Sequence, residues 1–159
     1  MEVCLIRNKK ISRALARDWK GVRLTLALVR SNMSGAFSAG GTTRFADLSY
    51  GLILPFAFSV LQRVLMELRD EKVFPCESNT LESLMQCSKH ALPWVDYRTI
   101  RMGSEVRDDF AQNQKIPATA TTWKYVDAIE AELVAWNVFP ATQVRTHKID
   151  FGTFVREIS

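Results

Sequence analysis

The chain has 159 residues, a formal net charge of +4, 47% hydrophobic and 24% charged residues, a globular balance that excludes collagen-like, fibrous and disordered compositions. A chain this long buries about 68–70% of the surface its unfolded form exposes, so a single domain over residues 1–159 with a real core is expected. Charge is uneven: residues 1–30 sum to +6 and the remainder to −2, which suits either a solvated helix face or contact with an acidic partner such as nucleic acid. Cys4, Cys76 and Cys87 are odd in number and lack CxxC spacing. They point to no disulfide framework and no zinc knuckle, and fit a reducing, cytoplasmic setting. Arg7, Lys9 and Lys10 are followed by Arg13, Arg17 and Lys20 rather than by an apolar run, so no secretory signal is expected. The longest uncharged segment, Leu48 to Gln62, has 15 residues and contains Pro55. It falls short of the roughly 20 that cross a bilayer and predicts a buried helix and no membrane span.

Met1 to Asn8 has no clear period and reads as a short strand or a loose arm. From residue 9 to about 33, Ile11, Leu15, Trp19, Val22, Leu26 and Val29 recur in steps of three and four, predicting a core-facing helix with basic flanks. Ser34 to Thr43, with three glycines, reads as a long loop. It lacks the GxxxxGK[ST] pattern of a phosphate-binding loop. A second helix is predicted over Phe45–Val73, kinked at Pro55. Its apolar residues Leu48, Leu52, Phe56, Val60, Leu61, Val64, Leu65 and Leu68 span a girth wide enough for burial on several sides. Asn79 and Glu82 have capping-box spacing and open a short third helix. Cys87 and His90, three apart on it, have no further ligands of that type nearby, so no metal site and no cofactor are expected.

A fourth helix is predicted from about Pro93 to Asn113, with Trp94, Tyr97, Ile100, Gly103, Val106 and Phe110 as its buried stripe. Pro117 disfavours helix at Ile116, so the helix stops between Gln112 and Lys115, with Arg107, Asp108 and Gln112 together at its end. Thr121 or Thr122 caps a fifth helix with core residues Val126, Ile129, Leu133 and Trp136, and Asp127, Glu130 and Glu132 make its outer face acidic. The tail from Pro140 onward reads as an arm with a short strand. Its Asp150-Phe151-Gly152 stands without the other protein-kinase signatures. Five helical segments with short connections and no βαβ pattern predict an all-α antiparallel bundle.

Arg107, a polar residue after it, the apolar pair Phe110-Ala111 and a polar residue at 112 resemble the signature of the HEPN superfamily, an Arg followed after four to six residues by His. Phe56-Ala57-Phe58-Ser59-Val60-Leu61 upstream and Trp123-Lys124-Tyr125-Val126-Asp127-Ala128-Ile129-Glu130 downstream are similar to small plasmid- and phage-borne HEPN-like proteins. The resemblance covers about residues 40–139, with the basic helix before it and a C-terminal arm over 140–159. It implies a homodimer whose Arg-bearing helix ends face each other across a cleft, and a metal-independent ribonuclease site at Arg107, Asp108 and Gln112. Gln112 stands where the family has its catalytic His, and Asp108 where Asn is usual. An amide exchanges no proton near neutral pH, and general acid–base help is worth on the order of 10² to 10⁴ in rate. The expectation is therefore a catalytically impaired protein that binds RNA, through Arg13, Arg17 and Lys20, or a protein partner such as an antitoxin. The alternatives are an active endoribonuclease with its imidazole from His90 or His147, and a dimeric structural module. An ion pair between Arg107 and an acid of the fifth helix is the plain structural reading of that residue.

Overall fold

Among the described residues, five helices form where the apolar spacing places them, and no strand occurs. The structure, a computed structural model, describes residues 6–34 and 40–139, with side chains at 6–29 and 51–139. The predicted C-terminal arm, with His147 and Asp150-Phe151-Gly152, lies outside those residues, as do Met1 to Leu5.

Helix α1 (Lys9–Ser34) is capped by Asn8, whose Oδ1 accepts the N–H groups of Lys10 (3.0 Å) and Ile11 (3.3 Å). Its stripe Leu15, Trp19, Val22 and Leu26 is buried, as the spacing predicts. Helix α2 (Gly40–Asp70) begins earlier than expected and takes in Gly40 to Thr43, the end of the predicted loop. It also runs on through Pro55, opposite Gly51 in the preceding turn. Leu52 (63% exposed) and Phe56 (44%) face outward, contrary to the predicted core. They share an outer stripe with Ser59 and Arg63, while Ile53, Leu54, Ala57, Phe58, Val60, Leu61, Val64, Leu65 and Leu68 are buried around the rest of the helix. The 20 residues Gly51–Asp70 are long and apolar enough to cross a membrane by length and composition, further than the uncharged run suggested, and 56% of an apolar 18-residue window within them is buried inside the protein.

Helix α3 (Leu81–Ser88) is capped by Thr80, one residue later than predicted. Thr80 Oγ1 accepts Ser83 N, while the expected cap, Asn79, receives Arg69 through its Oδ1 at 2.6 Å. Helix α4 (Tyr97–Asn113) starts later than Pro93, because Asp96 is its cap: its carboxylate accepts Thr99 Oγ1 (2.6 Å) and Thr99 N (3.1 Å), bonds that hold its pKa below the usual carboxylate value. It ends inside the predicted window, on Gln114 in the left-handed conformation (φ 52°). Helix α5 (Thr119–Ala135) has no side-chain cap. Thr122 is buried instead, its Oγ1 without a hydrogen-bond partner among the described residues.

Helices α2 and α5 stop the same way. Lys72 (φ 63°) and Asn137 (φ 55°) take the left-handed position, and the N–H groups of Val73 and Val138 return to the carbonyls of Leu68 and Leu133, both at 3.0 Å. Each is followed by the same tripeptide, Val73-Phe74-Pro75 and Val138-Phe139-Pro140, with both phenylalanines buried.

Helix α2 packs against all the other helices. The Glu71 carboxylate at its end accepts the N–H groups of Arg7 and Asn8, and Ser12 Oγ donates to Val138 O (3.0 Å), so α1 starts where α2 and α5 finish. Val95 N and Asp96 N donate to Glu132 (2.8 and 2.7 Å) at that same end of α5, and Phe110 reaches Gly51 near the opposite end. Helices α1 and α4 thus run one way, α2 and α5 the other. At Gly103 the α4 backbone passes so close that a Cβ would lie 2.7 Å from Tyr125 and 2.9 Å from Phe58, whereas at Gly21 it would meet nothing within 4 Å. Gly103→Ala is expected to lose about 1–3 kcal/mol to overpacking, partly offset by helix propensity. Gly21→Ala should instead gain about 0.5–1 kcal/mol, and urea unfolding of the two variants checks the opposite signs.

Candidate functional site

Arg107 lies one turn beyond Gly103 on the same side of α4, which aims it at α2. Its guanidinium carbon sits 5.7 Å from the centre of the Phe58 ring, and the side chain is 23% exposed. Nε and Nη2 donate to Asp108 Oδ1 at 3.0 and 2.7 Å, so its charge is met by its neighbour in sequence rather than by an acid of α5. Asp108 is itself exposed. Gln112 is exposed near the helix end, five residues on and thus about 140° around the axis from Arg107. The three predicted site residues share one helix but do not converge, and Arg107 stands in the helix body rather than at its end. Phe58, the platform under Arg107, carries no signal of that role in its own sequence context.

The predicted acidic outer face of α5 is two-thirds internal. Only Asp127 is exposed; Glu130 and Glu132 are 5% and 1% exposed. Glu132 is occupied by the backbone ahead of α4, as described above. Glu130 Oε2 accepts Trp19 Nε1 at 2.7 Å and the Arg23 guanidinium, which also reaches Asp127 at 2.8 Å. Burial alone would lower the Arg23 pKa, but hydrogen bonds and attraction from Glu130, then Asp127, raise it above the ordinary value. Arg23 is therefore removed from the basic face of α1, and Asp18 is drawn to Arg63 of α2.

What remains on α1 is a stripe. Lys10, Arg13, Arg17 and Lys20, at steps of three, four and three, are all exposed and make no ion pair among the described residues. They span about 15 Å of helix. The structure thus brings together the three basic residues singled out from the sequence and adds Lys10. Trp19, the aromatic residue of α1, faces the core, so no aromatic side chain accompanies the stripe on that helix. His90 is exposed past the end of α3, and no cluster of three or more metal-ligating side chains occurs among the described residues.

Comparison with known proteins finds no matching family model, no similar curated protein and no similar solved structure.

The two arginine environments predict different costs. Arg107→Ala forfeits a half-exposed ring contact and a surface ion pair and should lower stability by about 1 kcal/mol. Glu130→Ala leaves the Trp19 N–H without its acceptor and Arg23 with Asp127 alone, and should cost about 2–3 kcal/mol. Chemical denaturation of the two variants checks the ranking.

Proposed function

We propose that this chain is a catalytically impaired, HEPN-like helical protein that binds RNA through the phosphate backbone. The observation that carries the reading is the stripe Lys10, Arg13, Arg17 and Lys20, four exposed cations in register along one helix that make no ion pair among the described residues. Cations at that spacing can follow a run of phosphates, and contacts of this kind release counterions and carry no base information. With no exposed aromatic ring on α1, base stacking does not add affinity there, so binding is sequence-blind.

Impaired catalysis follows from two features. Gln112 supplies no titrating group near neutral pH. Arg107 is engaged by Asp108 and held on Phe58, so its charge toward an incoming phosphate is partly cancelled. The resemblance at Arg107, Phe110-Ala111 and the flanking helices supports the HEPN part of the proposal.

Titration of a labelled RNA against salt tests the binding. The affinity should fall with rising salt with a logarithmic slope no steeper than about four, one per cation of the stripe. The triple variant Arg13→Glu, Arg17→Glu, Lys20→Glu should abolish binding at low salt while keeping the wild-type melting temperature, since all three side chains are exposed. Salt-independent binding, or unchanged binding by the triple variant, would overturn the assignment. In the same samples without metal, wild type should leave RNA intact. Cleavage by wild type that disappears in Arg107→Ala would establish the active-ribonuclease alternative instead.

A further inference from the structure

The helix that carries the cation stripe is held firmly to the bundle. Ser12 Oγ donates to Val138 O near its start, Trp19 and Arg23 donate to Glu130 further along, and Leu15, Val22 and Leu26 are buried beneath it. The four cations therefore keep the spacing of a straight rod, and that spacing is paired. Lys10 and Arg13 stand three residues apart, as do Arg17 and Lys20, and each member of the second pair follows its counterpart by seven residues. Seven residues of helix measure about 10 Å. That separation is comparable with the major groove of B-form DNA, about 12 Å wide, and the major groove of an RNA duplex is narrower. Each pair can therefore meet its own phosphate backbone across one groove.

The same face offers little to a single strand. Proteins that hold single strands join a basic groove to aromatic rings on which successive bases stack. Trp19, the one aromatic residue of α1, is buried. Phe56 is exposed on α2 but shares its stripe with Arg63, whose pairing with Asp18 marks the α2 edge of α1, about 100° around the axis from Arg17. A flexible strand would also lose conformational freedom in aligning on a rigid rod, whereas the phosphates of a duplex are already in place.

We propose that the ligand of the stripe is double-helical RNA, with Lys10 and Arg13 on one backbone and Arg17 and Lys20 on the other. The inference rests on the phosphate-binding reading of the stripe and adds which form of RNA it takes. Recognition of this kind follows the shape of the duplex and the position of its phosphates, so it is indifferent to base sequence.

The test measures fluorescence anisotropy of a short blunt RNA duplex and of its two separated, unstructured strands with the full chain at low salt. The duplex should bind more tightly than either strand by about tenfold or more. The double variant Lys10→Gln, Arg13→Gln removes one pair. It should melt at the wild-type temperature, since both side chains are exposed, bind duplex and single strands alike, and show about half the wild-type salt slope on the duplex. Equal or tighter binding of the single strands by wild type, or a duplex preference that survives in the double variant, would overturn the duplex assignment while leaving RNA binding by the stripe in place. Binding of neither form at low salt would overturn the RNA reading, and this inference with it.

Discussion

The crossing at Gly103 sets the geometry of the α4 side of the bundle. Phe58 of α2 and Tyr125 of α5 occupy the space that a Cβ on Gly103 would need, so α4 lies directly on the seam between those two helices. Close approach there brings Phe58 under Arg107 one turn later and carries Phe110 onto Gly51 two turns later. Both contacts are consequences of helix period once the crossing point is fixed. Helix α2 also packs against α1 and α3, so it is common to every side of the bundle.

Two acids on α5 complete the framework, and they do so on different sides of it. Glu130 and Glu132 are two residues apart, about 200° around the axis, and each is buried with its own partners. Glu130 joins α5 to α1 through Trp19 and Arg23; Glu132 joins α5 to the start of α4 through two backbone N–H groups. Neither carboxylate is left uncompensated, which is the condition for keeping a charge in an interior. The arrangement also shapes the exterior: it withdraws Arg23 and leaves Lys10, Arg13, Arg17 and Lys20 as a run without acids among the described residues.

Much of the fold was legible. The three- and four-residue spacing located all five helices, the buried stripe of α1, the Val126, Ile129, Leu133 and Trp136 core of α5, and the end of α4 before Pro117. Errors fell at the termini and on α2. The glycines at 40 and 41 look like loop, since glycine has low helix propensity, yet their backbone continues into α2. Asn79 and Thr80 are both capping residues, and only the engagement of Asn79 by Arg69 separates them. The repeated Val-Phe-Pro after Lys72 and Asn137 marks two helix ends that share a left-handed terminator.

What the sequence alone determined is which residues share a face, because helix period depends only on position along the chain. It therefore yielded the all-α bundle, the core stripes, and Arg13, Arg17 and Lys20 as one row. It could not determine what each face meets, since that depends on helices distant in sequence. Only the tertiary structure decided that Glu130 and Glu132 are internal, that Leu52 and Phe56 are outside, and that Arg107 turns to Phe58 and Asp108 away from Gln112. The physical reason is common to all three: burial and pairing of a side chain are properties of the neighbour across the interface, and no local pattern names that neighbour.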